Sequence, residues 1–232
     1  MIKLLYAELD ALPKTEEMEK SLPERFRKGY FDAHPKASRA GIAGLYLAAR
    51  AGACGTLVYD EKGRPCLSGD DWLDLSISHT AGFVFCGLAK GEHYRIGIDA
   101  EGGGRVSEES MKKIAKRFFL PEEQRLLAEA PNLREAFLEL WTKKEAYAKY
   151  RGDGLSALIA GKIPSANCSF SVGKVEGLCV AICTDHPILQ GFPTPERVDL
   201  LVKKWTNLGE NSTLLQPLLC KMEKKRPSKG SS

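Results

Sequence analysis

The sequence lacks several features that would assign a class at once. No apolar run approaches the roughly 18 residues that cross a bilayer. The stretch Met1-Ile2-Lys3-Leu4-Leu5-Tyr6-Ala7 is cut off by Glu8 and Asp10 before it could serve as the apolar part of a secretory leader. The expectation is a cytoplasmic chain that makes no membrane contact. Cysteine is present but never as C-x-x-C: Cys54, Cys66, Cys86, Cys168, Cys179, Cys183 and Cys220 are widely spread and odd in number. That excludes a disulfide framework and argues against a zinc site, leaving free thiols packed as small hydrophobes. Neither G-x-x-x-x-G-K-[ST] nor G-x-G-x-x-G occurs, so neither common phosphate-cradling loop is available, and Gly102-Gly103-Gly104-Arg105 is a flexible link. Strong charge of one sign is absent from the body of the chain. The formal charge is +4, and most of it sits in residues 208–232, where Lys221, Lys224, Lys225, Arg226 and Lys229 face only Glu210 and Glu223. A basic tail on a near-neutral body argues against a nucleic-acid-binding surface.

What is there is enough for a folded core. At 232 residues and 43% hydrophobic content the chain can bury one substantial core, or two small ones that share an interface. Alternation over residues 1–10 predicts a strand. A short basic helix follows at Leu22 to Tyr30, and a second helix from about Ala37 to Arg50. Arg39 falls on the first turn of the latter, where a cation opposes the helix dipole, so it is expected to point at something anionic. Residues 56–60 form a strand, and a three-strand meander is expected over about Leu73 to Ser78, Phe83 to Ala89 and Tyr94 to Ala100. In a meander the first and third strands run the same way, which would bring Ser78-His79 beside Asp99-Ala100-Glu101.

After the glycine link come helices opening at Ser107 and Pro121, a long helix, then two or three short strands from Cys168 to Cys183 and another possible strand over Arg197 to Lys203. The fold class read from this order is α+β. The expected division is an N-terminal half over 1–101, a C-terminal half over 102–206, and a basic tail over 207–232.

Two groups of residues carry chemistry. From Leu133 to Tyr147 apolar residues recur at helical spacing, and Lys144 projects near the middle of the apolar stripe, with Glu145 on its flank and Lys149 one turn on. An ammonium facing a core is rarely buried without a partner, so Lys144 requires an anion from elsewhere unless it snorkels to the surface. In the third meander strand Ile96, Ile98 and Ala100 share one face, while Asp99 and Glu101 share the other. Two carboxylates one pleat repeat apart repel, and a shared hard cation such as Mg²⁺ would resolve the conflict; solvation of a strand end is the plainer alternative.

Taken together, Gly97-Ile98-Asp99-Ala100-Glu101, Phe118-Phe119, and Trp141-Thr142-Lys143-Lys144-Glu145-Ala146-Tyr147-Ala148-Lys149 with Gly152-Asp153-Gly154-Leu155 resemble the 4′-phosphopantetheinyl transferases of the surfactin-synthetase-activating type. Upstream, Gly63-Arg64-Pro65 and Ile77-Ser78-His79-Thr80 are similar to that family's G-K-P and I-S-H-S segments. Ala100 stands where a β-branched residue is usual, and Arg64 where lysine is. The resemblance implies an enzyme that transfers phosphopantetheine from coenzyme A to a serine of an apo acyl or peptidyl carrier protein, releasing 3′,5′-ADP. It implies a monomer of two similar, pseudo-twofold related subdomains, each a small antiparallel sheet packed with helices, with the coenzyme in the cleft between them. Mg²⁺ is then expected on Asp99, Glu101 and Glu145, and catalysis on Glu145 and Lys149. Arg25, Lys28, Arg39, Arg64, Ser78, His79, Lys144 and Lys149 are expected on the coenzyme, with His79 and the first-half cations at its 3′-phosphate and Arg64 near adenine or ribose. Gly103 to Lys116, with Val106 and Met111, is the docking surface the resemblance suggests for the carrier protein, a plain linker and helix being the alternative. The competing readings are a non-catalytic coenzyme A- or carrier-binding module and a Mg²⁺-dependent hydrolase of nucleotide pyrophosphates.

Overall fold

The computed structural model describes residues 1–34, 36–91, 94–102, 104, 106–154, 168–185 and 191–198. In chain order the elements are β1 (Ile2–Glu8), α1 (Thr15–Ser21), α2 (Glu24–Ala33), α3 (Arg39–Arg50), β2 (Thr56–Tyr59), β3 (Pro65–Ser68), β4 (Trp72–Thr80), β5 (Phe83–Lys90) and β6 (Ile96–Glu101). There follow α4 (Glu108–Phe118), α5 (Pro121–Glu129), α6 (Leu133–Arg151), β7 (Ser169–Val175), β8 (Leu178–Thr184) and β9 (Glu196–Arg197). The architecture is α+β. A six-stranded sheet runs β2-β3-β4-β5-β1-β9, and a three-stranded sheet runs β6-β8-β7. All pairings are antiparallel except β1 with β9. The basic tail, Leu155 and the strand reading beyond Arg197 to Lys203 lie outside the described residues, apart from Arg197 and Val198. No helix of the described residues is long and apolar enough to cross a membrane, and the cysteines among them are free thiols.

The expected meander breaks at its third strand. β5 is claimed on its other side by β1, in register from Ile2 opposite Ala89 to Glu8 opposite Phe83. β6 instead starts the second sheet, pairing with β8 from Ile96 opposite Thr184 to Glu101 opposite Cys179. Its outer edge is closed by side chains of β4. Asp74, Ser76 and Ser78 alternate along that strand, and their oxygens accept from the backbone N–H of Ile96 (2.7 Å), Ile98 (3.0 Å) and Ala100 (3.2 Å). Unpaired buried N–H groups are costly, and these short polar side chains stand in for the missing strand. Numbers rise together on both sides of this seam, so β4 and β6 run the same way. Ser78 therefore reaches the end of β6 that carries Asp99 and Glu101, although not through a meander. The division between sheets falls before β6, not after residue 101, and β9 crosses back from the second half to the first sheet. Residues 1–199 accordingly make one compact unit.

Layering follows from the alternation of side chains. Leu5, Leu75, Val84, Cys86 and Leu88 face α1, α2 and α3. Leu4, Phe85, Ile96, Ile98, Ala100, Val180 and Ile182 fill the space where the sheets meet. The far side of the second sheet receives α6, through Ala146, Tyr150, Ala181 and Cys183, and α4 and α5 cover the remaining face of α6 through Met111, Ala115, Phe119, Leu127 and Phe137. Met111 is thus core and not docking surface, a correction that follows from its position on the inward stripe of α4.

α6 is bounded by local chemistry. The Asn132 side chain accepts from Glu135 N at 3.1 Å, and Gly152 ends the helix in the left-handed region (φ 75°) with its N–H on Ala148 O at 2.8 Å. β6 lies directly on this helix. A Cβ at Gly97 would fall 2.1 Å from Ala146 O and 2.4 Å from Tyr150 N, backbone atoms that no rotamer change can move. Gly97→Ala is therefore expected to lower stability by about 2–4 kcal/mol, by forcing strand and helix apart. Urea unfolding followed by circular dichroism checks this, and a midpoint equal to wild type would refute the close approach.

Candidate active site

Asp99 is 3% exposed on the α6 side of β6. Its Oδ1 accepts from Ser78 Oγ at 2.9 Å and from Lys149 Nζ at 2.7 Å. Its Oδ2 is buried without a hydrogen-bond partner. Glu101, two residues on, shares that face, and Glu145 comes from α6, one turn before Lys149. Asp99, Glu101 and Glu145 each place a carboxylate oxygen within 4.8 Å of the others. The Trp141 indole reaches both glutamates as a hydrogen-bond donor.

Burial and crowding raise the proton affinity of this cluster. Burial pushes Glu101 upward and the Asp99 charge adds to it, against Lys149 and Trp141. Glu145 is pushed up to about 7 by burial first and by Asp99 next, with Glu101 adding to the rise while Lys149 and Trp141 oppose it. An all-oxygen set of carboxylates with one buried oxygen left without a donor fits a small hard cation. Thiolate and imidazole ligands, which would favour zinc, are absent from the cluster.

Beside the carboxylates lies a cavity of about 380 Å³, walled by the Lys62-Gly63-Arg64-Pro65 turn and the middle of β4, with Glu145, Lys149, Gly152 and Gly154 on the α6 side. Lys62 at its mouth pairs with Asp153.

The structure brings together Asp99, Glu101, Glu145, Lys149 and Ser78 of the residues expected in the site. Ser78 acts through Asp99, by holding its Oδ1. Three others are placed differently. Lys144 is 1% exposed and turned towards α5, 2.8 Å from Glu123 Oε2 at an angle poor for a hydrogen bond, and 5.5 Å over the Phe119 ring. It needed an anion, and Glu123 supplies it, so no coenzyme is required to explain its burial. Arg39 spends its guanidinium on the carbonyl oxygens of Leu9 (2.7 Å), Pro13 (3.0 Å) and Leu12 (3.3 Å), and on Thr15 Oγ1 (3.1 Å). Carbonyl dipoles, not a phosphate, answer its charge. Arg64 lines the cavity but is 6% exposed, with its guanidinium bound to both oxygens of Asp74 and to the carbonyls of Ile96 and Lys149. Only its stem and backbone face the cavity.

His79 is exposed on the strand face opposite Ser78, and Arg25 and Lys28 are exposed on α2; none lines the cavity. The sequence reading missed Trp141 as a donor. Its place four residues before Glu145, hence on the same side of α6, is the signal that could have identified it.

These features define a protein that can hold a divalent cation beside a partly cationic cavity, a combination suited to a phosphate ester or anhydride. The 4′-phosphopantetheinyl transferase superfamily model matches residues 95–183, the span that holds all three carboxylates. The chain is 30% identical over 151 residues to the 4′-phosphopantetheinyl transferase AcpT of Salmonella typhi, covering 63% of this chain and 76% of that one. It is 34% identical over 145 residues to HetI of Nostoc sp. and 29% identical over 145 residues to Sfp of Bacillus subtilis, both described as 4′-phosphopantetheinyl transferases; the alignments cover 58% and 55% of this chain. They span only 59% of HetI and 62% of Sfp. The solved holo-[acyl-carrier-protein] synthase of Thermotoga maritima aligns over 39% of this chain and 61% of that one, at 23% identity and a TM-score of 0.32, too distant to bear on the fold. The chain belongs to the 4′-phosphopantetheinyl transferase superfamily.

The raised carboxyls carry a testable sign. Glu145 binds its proton more tightly in the folded state than at its ordinary value of 4.5. The stabilisation from that proton is complete below about pH 4.5 and is lost as pH rises through about 7. With chelator present, Glu145→Gln should therefore be more stable than wild type at pH 8, by on the order of 1–2 kcal/mol after allowance for solvent screening, and nearly equal at pH 4.5. Urea titrations at the two pH values measure it; a variant less stable than wild type at pH 8 would contradict the crowding.

Proposed function

We propose that the protein transfers 4′-phosphopantetheine from coenzyme A to a serine of an apo acyl or peptidyl carrier protein, releasing 3′,5′-ADP, and that it acts in the cytoplasm as a monomer. The carrying observation is the meeting of Asp99, Glu101 and Glu145 at the edge of the cavity, with Lys149 beside them. Membership of the superfamily supports the same reading.

Mg²⁺, with Asp99, Glu101 and Glu145 as its protein ligands, would supply positive charge to the pyrophosphate, the rest of its shell being water and phosphate oxygen. The chain's own residues do the remainder. The serine oxygen forms a bond to the pantetheine-side phosphorus, the bond from that phosphorus to the bridging oxygen breaks, and the bridging oxygen leaves with 3′,5′-ADP. Glu145 takes the hydroxyl proton directly or through a water. Lys149, about one-third exposed, holds Asp99 in place and offers its charge to the departing diphosphate. The nucleotide lies along the Lys62-Gly63-Arg64-Pro65 turn, against backbone and the Arg64 stem.

The assay is direct. Protein, coenzyme A, Mg²⁺ and an apo carrier are mixed and the carrier is weighed. Gain of the phosphopantetheine mass is expected; an unlabelled carrier with intact coenzyme would indicate binding alone, and cleavage without labelling would indicate hydrolysis. Glu145→Gln should slow transfer by about 10²–10⁴-fold with the fold intact. Lys149→Ala and Lys144→Met should separate the two lysines. The former reduces transfer and also lowers stability, since it strands the buried Asp99, while the latter costs about 2–4 kcal/mol of stability by stranding Glu123, with the KM for coenzyme A unchanged. A Lys144→Met protein that is fully stable but has lost coenzyme affinity would reverse this assignment.

A further inference from the structure

Arg64 belongs to the cavity wall, yet its charge is turned into the protein. A guanidinium carries five N–H groups, and five acceptors take them. Nε donates to Lys149 O (3.0 Å), Nη1 to Asp74 Oδ1 (2.6 Å) and Pro65 O (3.3 Å), and Nη2 to Ile96 O (2.6 Å) and Asp74 Oδ2. No donor is left over for a phosphate, so the charge of Arg64 acts only through these partners.

Two of the partners lie on the elements that build the site. Ile96 opens β6, and its N–H donates to Asp74 Oδ2 at 2.7 Å, so the Arg64–Asp74 pair holds both backbone groups of that residue. Lys149 lies in the last turn of α6, where a helix leaves carbonyls without partners of its own. Gly152 N–H closes the ladder on Ala148 O, and the next carbonyl, that of Lys149, is the one Arg64 takes. A cation at this end also suits the helix dipole. The pair therefore ties the start of the strand that carries Asp99 to the turn that carries Lys149, and those two side chains meet at 2.7 Å. Arg64 is itself anchored, with its N–H on Asp60 Oδ1 (3.0 Å) and its carbonyl accepting from Asp60 N–H (2.9 Å). Its stem lies against Gly152, where a Cβ would come within 3.2 Å of Arg64 Cβ and 3.4 Å of Cδ.

We propose that Arg64 is a positioning residue for the transfer: by capping Lys149 O it fixes the last turn of α6, which keeps Lys149 Nζ on Asp99 and beside the departing diphosphate. This rests on the transfer reading given above. Glu145, a full turn further from the helix end, is held by the helix's own bonds.

The test uses the whole chain with coenzyme A, Mg²⁺ and an apo carrier protein, at a temperature where circular dichroism finds every variant folded. Arg64→Lys keeps a cation for Asp74, but a single ammonium cannot reproduce the fork that reaches Asp74 and Lys149 O together. It should lower kcat by about ten- to hundredfold, with the KM for coenzyme A within about twofold of wild type. Arg64→Met with Asp74→Asn removes both charges, leaves an oxygen for Ile96 N–H, and should do the same; it decides the matter if Arg64→Lys fails to fold. In a Lys149→Ala background neither change should slow the residual transfer further, because the capped turn then has no ammonium to place. A loss of equal size in both backgrounds would mean that Arg64 serves stability alone and would overturn the proposal, as would wild-type kcat in Arg64→Lys or a rise in KM at unchanged kcat. Hydrogen exchange, read by peptide mass over Tyr147 to Gly152, should quicken in both variants. Unchanged exchange there overturns the clamp and leaves the transfer reading standing. Carrier that is never labelled by wild-type protein overturns the transfer reading, and this role for Arg64 with it.

Discussion

The structure depends on fixing β6 between two unlike neighbours. Two carboxylate charges about 5 Å apart repel by roughly 3 kcal/mol at an effective dielectric of 20, and the fold assembles three such groups. It does so because β6 cannot drift. Its outer N–H groups are held by Asp74, Ser76 and Ser78, and Gly97 lets its backbone touch that of α6. Lys149 takes up part of the repulsion at Asp99, and Glu145 takes up part by binding its proton more tightly. The crowding left over is what a divalent cation would relieve.

Much of this was legible where the information is local. The alternation Ile96-Gly97-Ile98-Asp99-Ala100-Glu101 sorts the strand into an apolar face and an acidic one, and the structure sorts it the same way. Lys144 within an apolar stripe called for an anion from elsewhere in the chain or its ligand, and the partly buried Glu123 is there. Which anion it would be was not readable, because Glu123 lies on a neighbouring helix and nothing in its own surroundings marks it. It also accepts from Leu120 N at 2.7 Å, so from sequence it reads as an ordinary helix-start glutamate.

The basic residues show a different limit. Arg39 was read as seeking the coenzyme's 3′-phosphate and Arg64 its adenine or ribose, and both found carbonyl oxygens, with Asp74 as well for Arg64. Arginine's planar fork suits either target. Every residue carries a carbonyl, so a sequence cannot say which carbonyls the chain will turn inward. The sheet assignment of β6 failed for a related reason. Short strands with similar alternation are interchangeable until long-range pairing is known, and β1, 75 to 87 residues from its partner positions on β5, had the complementary register.

α6 explains why its apolar pattern looked imperfect. A helix that only covered a sheet would carry one clean stripe. This one is packed against β6 and β8 on one side and against α4 and α5 on another, so its buried positions run nearly around it. The strip left for chemistry is the one that turns Glu145 and Lys149 towards the cavity and the two acids of β6. The contacts that bury the helix are also those that set its acid against the two on β6. A substitution that eases the charge crowding therefore stabilises the fold as it weakens the site, and one that loosens β6 from α6 weakens both. Stability and activity are coupled here through a single strand–helix contact, which lets the two effects be told apart by where along that contact a change is made.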